Sequence, residues 1–189
     1  MIAKKAVMSG PLAIWHTEHI YFRRLLELLQ KELDSFHRGE RPNYELMLDV
    51  VAYLRDYSDQ YHHPREDVAF ARLAQRCPDL KLDLARLVQE HRVIARAGET
   101  LRQHLEAILG GSMISRAEVE VAAATYLVYY GNHIAKEDEL VLERAEKALT
   151  PEDWQAVKGA VTPKPDPIFG EHPEERYKAL RREIAAASH

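Results

Sequence analysis

Cysteine is almost missing from the chain. Cys77 stands alone among 189 residues, which rules out an internal disulfide framework and suits a reducing compartment such as the cytoplasm. Glycine and proline number eight and nine, too few to punctuate a turn-rich β fold. No run approaches 18 consecutive apolar residues, so no membrane span is expected. Two early lysines precede only a short apolar stretch broken by Pro11 and His16, which does not read as a secretory signal. Positive charge is not in excess either: the formal net charge is −4 with a pI near 6.2, which argues against a nucleic-acid partner. Hydrophobic residues make up 46% and charged residues 30%, which excludes a disordered or collagen-like chain. At this length one core can bury roughly 70% of the unfolded surface without a staple. The one residue in surplus is histidine, with ten.

Breakers divide the chain into helical segments. The first runs from about Pro11 to Arg38, with proline suited to the first turn and Gly39 as the stop. A second opens behind the N-cap Asn43 and runs to about Arg76, before Cys77-Pro78. The third spans about Leu80 to Leu109 and ends at Gly110-Gly111. The fourth opens on Ser115 with Glu118 three residues on, a capping box, and reaches Leu149. Thr150-Pro151-Glu152-Asp153 starts a short helix to about Gly159. A proline-marked linker then leads to a last, charged helix from about Pro173 to Ala187. No strand-like alternation of useful length appears. The reading is all-α: an up-down-up-down four-helix bundle over 11–150 with short C-terminal helices in a 151–189 extension.

Apolar residues step by three or four along each rod, which defines an inward face. The first stripe is Leu12, Trp15, His19, Phe22, Leu26, Leu29, Leu33, Phe36. The second is Met47, Val51, Leu54, Ser58, His62, Glu66, Ala69, Leu73. The third is Leu80, Leu84, Leu87, His91, Ile94, Gly98, Leu101, Leu105, Ile108. The fourth is Val119, Ala123, Tyr126, Tyr130, His133, Glu137, Leu140. Every stripe carries a histidine, and two add a glutamate one turn later. Residues at i and i+4 share a helix face about 6 Å apart along the axis, so His62/Glu66 and His133/Glu137 each present an imidazole and a carboxylate to one interior, which His19 and His91 also face. His19 precedes His62 by 43 residues and His91 precedes His133 by 42, an approximate internal twofold of polar residues.

One such histidine in a core is ordinary; six polar residues converging from four rods are not. Two buried carboxylates without counter-charge would repel and cost several kcal/mol, whereas two cations would neutralise them and use all four imidazoles. Four nitrogens and four carboxylate oxygens give four donors per ion if both glutamates bridge, which leaves octahedral metals positions for an external ligand. Imidazole with carboxylate suits iron best, with manganese or zinc as alternatives. No glutamate stands three residues before any of these histidines, so the Glu-x-x-His pattern of ferritin-like proteins is missing.

Trp15-His16-Thr17-Glu18-His19, Tyr61-His62-His63-Pro64-Arg65-Glu66-Asp67, Gln89-Glu90-His91-Arg92 and His133-Ile134-Ala135-Lys136-Glu137-Asp138 resemble the hemerythrin-like HHE cation-binding domains, over about residues 12–150. The likeness implies a four-helix bundle around a non-haem di-iron centre that meets dioxygen, nitric oxide or peroxide, with His19, His62, Glu66, His91, His133 and Glu137 as ligands. It departs from the oxygen-carrying members at Ala95, where they have a further histidine, and in the spacing of the fourth-helix acid. Sensing, iron handling or a stress response is therefore expected in place of oxygen transport. A di-iron oxidoreductase consuming peroxide or nitric oxide is the alternative, and a helical module with a vestigial site a third.

Around these six, several assignments stay open. His63 is either a further ligand or a rim residue, and His16 is an off-stripe competitor of His19. His104 reads as solvated, and His37, His172 and His189 fall at helix ends or in the tail. Tyr126 and Tyr130 read as core packing, with a tyrosine hydroxyl near an open metal position able to donate a hydrogen bond or a proton as the alternative. Pro64 is expected to kink or restart the second helix at the site. The thin stripe Tyr177, Leu180, Ile184 fits packing across the bundle or against a sister chain, and a C2 homodimer is compatible with this.

Overall fold

The computed structural model describes residues 10–186; the two early lysines, Ala187 and His189 lie outside the described residues. Those described form helices, with no strand among them. Helix α1 (Pro11–His37) is the first rod. Helix α2 (Tyr44–Tyr53), a π segment (Leu54–His62) and α3 (His63–Arg76) run on as the second. Helix α4 (Lys81–Leu109) is the third, entered through a 3₁₀ turn at Pro78–Leu80. Helix α5 (Arg116–Lys136), a π segment (Glu137–Val141) and α6 (Leu142–Ala148) make the fourth. Helix α7 (Pro151–Lys158) follows, and a 3₁₀ turn at Glu175–Tyr177 leads into α8 (Lys178–Ala186).

Start signals act where the sequence places them. The Asn43 side chain accepts from the Leu46 N–H, and Ser115 and Thr150 form capping boxes with Glu118 and Asp153, each satisfying donors that a helix end leaves orphaned. Gly39 and Gly111 take positive φ, +80° and +86°, where a Cβ would strain the backbone.

Two apolar clusters define the topology. One gathers Leu33 and Phe36 from the end of the first rod, Leu46 and Met47 from the start of the second, Leu101 and Leu105 from the end of the third and Val119 from the start of the fourth. The other gathers Leu12 and Trp15, Phe70 and Leu73, Leu84 and Leu87, and Val141, Ala145 and Leu149. Starts therefore meet ends at both poles, which is an up-down-up-down bundle. The C-terminal segment closes over the first cluster: Ile168, Tyr177, Leu180 and Ile184 belong to it, Phe169 stacks on Tyr21 at 3.8 Å, and the Tyr53 hydroxyl donates to Asp166 at 2.9 Å.

One local reading is made specific and one needs correction. At Pro64 the second rod changes helix type without a gap: the π segment ends at His62 and α3 begins at His63. His63 keeps right-handed helical angles (φ −57°, ψ −39°), and its N–H donates back to the Ser58 carbonyl, five residues away. The widened turn thus ends just where proline removes a donor. On the fourth rod Leu140 faces outward and is 37% exposed, while Val141 is buried at 2%. The π segment beginning at Glu137 adds the residue that moves the stripe on by one.

Candidate metal centre

The wide turns place the chemistry. His62 ends one π segment and Glu137 begins the other, so the His62/Glu66 pair lies at a π-to-α junction and the His133/Glu137 pair at an α-to-π junction, frequent locations for functional residues. His19 comes from the first third of α1 and His91 from the first half of α4. All six predicted residues are buried, His91 the most exposed of them at 6%.

They converge on one another. His62 Nε2 is 3.0 Å from Glu66 Oε1, and His19 Nε2 is 3.4 Å from the same oxygen. Across the site His133 Nε2 is 3.0 Å and His91 Nε2 3.5 Å from Glu137 Oε1. The second oxygens cross over: Glu66 Oε2 lies 3.6 Å from His91 Nε2, and Glu137 Oε2 lies 3.5 Å from His19 Nε2. Each carboxylate therefore spans two histidine pairs, His19/His62 and His91/His133. The donor atoms of His19, His62 and Glu66 lie within 4.8 Å of one another, as do those of His63, Glu66, His91 and His133. Glu66 belongs to both groups.

Behind each imidazole stands an acid. Nδ1 donates to Asp138 from His19 (2.8 Å), to Glu18 from His62 (2.6 Å), to Asp67 from His91 (2.8 Å) and to Glu90 from His133 (3.2 Å). A carboxylate only accepts, so each Nδ1 carries the proton and each neutral ring turns its Nε2 lone pair inward. The acids are held in turn. Glu18 takes two bonds from Arg65, at 3.0 and 2.9 Å, and one from the Tyr57 hydroxyl at 2.9 Å. Asp138 pairs with Arg23 and Glu90 with Lys136, while Asp67 is 43% exposed to water.

This donor set fits a pair of cations better than a metal-free core. Glu66 Oε2, His91 Nε2, His133 Nε2 and both Glu137 oxygens are buried without a hydrogen-bond partner, an arrangement that costs roughly 1–3 kcal/mol per neutral group and more for a charge. His19 Nε2 faces His62 Nε2 at 3.1 Å, where two lone pairs repel unless a proton or a cation stands between them. Without metal, protons must serve. Burial alone would lower the imidazoles; the Asp138 and Glu66 hydrogen bonds and the Glu137 charge outweigh it and push His19 up to about 10. His62 and His91 rise against the same burial penalty through their acidic neighbours. Glu66 and Glu137 fall below the usual carboxylate range although burial opposes it and they repel each other, because imidazoles surround them.

The match with known families supplies the frame. Residues 10–145 match the hemerythrin HHE cation-binding domain. The chain belongs to that family. No curated protein matches it at a significant level. As a hemerythrin-type domain it is a cation-binding bundle, and the His/Glu cluster is where its interior can hold cations.

The remaining histidines separate cleanly. His16 lies at the rim, a third exposed, with Nδ1 3.8 Å from Asp138. His37 is 58% exposed and His104 borders a surface groove between α4 and α5. The Tyr130 hydroxyl donates to Ser58, and the Tyr126 hydroxyl is buried without a partner. Sequence reading assigned no role to Glu18, Asp67, Glu90 and Asp138. A signal was present: Glu-His occurs at 18–19 and 90–91, and Glu-Asp at 66–67 and 137–138, so the orienting acids repeat with the same twofold as the inward residues.

Proposed function

We propose that this hemerythrin-type domain holds two iron ions between His19, His62, Glu66, His91, His133 and Glu137 and uses them to sense or handle dioxygen, nitric oxide, peroxide or iron itself. The observation that carries the reading is the pair of carboxylates spanning two sets of inward Nε2 lone pairs, each imidazole fixed by its own acid. Bound iron would supply redox chemistry and positions open to a small ligand. The chain supplies the rest. Glu66 and Glu137 bring the two positions together and offset their charge. Glu18, Asp67, Glu90 and Asp138 hold the ring tautomers and raise the basicity of the coordinating nitrogens. Trp15, Phe22 and Phe70 are buried beside the imidazoles, with ring centroids 6.2 and 5.0 Å from His62 and 5.9 Å from His91 respectively, and keep bulk water from the centre. The oxidoreductase alternative asks in addition for a proton donor free to act at the open positions; Tyr130 is engaged by Ser58, while the Tyr126 hydroxyl is buried without a partner.

Protein expressed with added iron should carry about two irons per chain and absorb in the ligand-to-metal charge-transfer region. His62→Ala and His133→Ala should each abolish that absorption while the fold persists by circular dichroism. Colourless, iron-free wild-type protein would overturn the reading. Steady-state consumption of peroxide or nitric oxide, as opposed to stoichiometric binding, would move the assignment to the enzyme.

A further inference from the structure

The chain has two tryptophans, and they touch. Trp15, on α1, is buried at 1% exposure, with its ring centroid 6.2 Å from that of His62. Trp154, on α7, meets Trp15 edge-on at 5.5 Å and is only half-buried. Two indoles in contact thus lead from an inward imidazole to solvent. Trp154 lies beyond residues 10–145 that match the family, so the outer half of this connection is supplied by the C-terminal extension. Its position is fixed from both sides. Thr150 and Asp153 close the capping box of α7, and Arg76 at the end of α3 donates to Asp153 at 2.6 Å.

Indole and phenol rings give up single electrons readily, but a phenol does so only when a base stands ready for its proton. Tyr57 donates its hydroxyl to Glu18, yet that carboxylate already accepts two bonds from Arg65 and one from His62, which leaves it a poor base. The Tyr130 hydroxyl meets Ser58, and that of Tyr126 meets no partner. Trp15 needs no positioned base, because its electron is replaced from Trp154, and at half-buried Trp154 water can take the indole proton.

Peroxide needs two electrons and two protons to become two waters. A ferrous pair supplies both electrons; once it is ferric they must come from the chain, where the inward imidazoles are nearest and their oxidation would destroy the site. We propose that Trp15 and Trp154 form an electron relay that carries oxidising equivalents, when peroxide reaches the centre, out to small reductants of the thiol or ascorbate class at the α7 surface. Trp15 gives one electron inward and takes one from Trp154. Trp154 releases its indole proton to water, then recovers an electron and a proton from the reductant. Two passages and two protons convert one peroxide to two waters, and two thiols leave as one disulfide. The inference rests on the two-iron reading above, and its test separates the two.

The iron-loaded, oxidised full chain is treated with hydrogen peroxide without reductant, digested and read by peptide mass spectrometry. With no donor to restore it, Trp154 should take up an oxygen atom, one peroxide adding one oxygen and leaving one water; added ascorbate should suppress this product. Met113, fully exposed, is the internal control, since bulk peroxide makes its sulfoxide with or without iron. Chelator-treated protein should oxidise Met113 and spare Trp154. Trp15→Phe, still carrying two irons per chain, should lose most of the Trp154 product and gain oxygen on the inward histidines. Equal oxidation of Trp154 with and without iron, or with and without Trp15, would reduce the pair to packing. Iron-loaded wild type that oxidises Tyr57 or the histidines and leaves Trp154 intact would overturn the relay and leave the centre standing. A wild type that takes up no iron would overturn both. The wild-type comparison decides even if the variant fails to fold.

Discussion

A neutral imidazole has one nitrogen with a proton and one with a lone pair, and only the second can bind a cation. In this chain the choice is made by acids lying next in sequence to another inward residue: Glu18 beside His19 serves His62, and Asp67 beside Glu66 serves His91. Their surroundings differ. Glu18 is 7% exposed and bonded also to Arg65 and Tyr57; the His62 hydrogen bond and charge, with Arg65 after them, hold its carboxylate below the usual range despite the burial that opposes it, while Asp67 is 43% exposed. Replacing an orienting acid by its amide typically weakens metal binding by about 10- to 100-fold. Glu18→Gln should fall toward the upper end and Asp67→Asn toward the lower, since water can replace part of what Asp67 supplies. Competition with a coloured chelator reads both; equal losses would contradict the ordering by burial. The inward six were legible because the 3.6-residue period puts them on apolar stripes. The orienting acids were not, because each lies off its own stripe and acts on a ring from a different rod, a relation that periodicity within one helix does not contain.

At the scale of elements, the period itself carries information that a single ideal helix hides. Leu54, Ser58, His62 and Glu66 advance by three consecutive steps of four. In an α-helix each such step overshoots a full turn by about 40°, so the three together would carry Glu66 well off the inward face. All four are buried because the π segment widens the turn. The second widened turn left no such trace, since the step from Glu137 to Leu140 looked as regular as the true one to Val141. Pro64 pointed to the place where the helix changes type, but not to the widened turn that precedes it. Helix contact makes a further demand at Gly98 on α4. A Cβ there would lie 2.9 Å from Cε2 and 3.3 Å from Cζ of the fully buried Tyr126 ring of α5. Alanine should gain roughly 1 kcal/mol in helix propensity, while overpacking a tight core costs about 1–3 kcal/mol. Gly98→Ala is expected to destabilise the protein by up to about 2 kcal/mol in urea denaturation followed by circular dichroism; a stabilised variant would show that the α4–α5 contact yields without strain.

Across the whole molecule, the polar belt lies between two apolar clusters, so its charge must be balanced internally, by protons or by metal. In metal-free protein the balance is imidazolium against carboxylate. Histidines with raised folded-state values contribute stability that is fully present below their ordinary 6.5 and is lost as pH climbs, for His19 through about 10. Carboxylates with lowered values contribute stability present above their ordinary range and lost on acidification, for Asp138 down to about 2, where the His19 and Arg23 hydrogen bonds outweigh burial. The metal-free protein should therefore be at its best between about pH 4.5 and 6.5 and weaken as pH rises further. Metal does the opposite, because it displaces those protons and binds more tightly as they become scarce. A cation held at a thousand times its dissociation constant adds about 4 kcal/mol to the folded state. The difference in melting temperature between metal-loaded and chelator-treated protein should accordingly widen from pH 6 to pH 9. Thermal melts followed by circular dichroism at three pH values in that range measure it. A difference that stays constant or narrows would mean that protons and metal do not compete for the same nitrogens, and the belt would then have to be held together by something other than the imidazoles that face it.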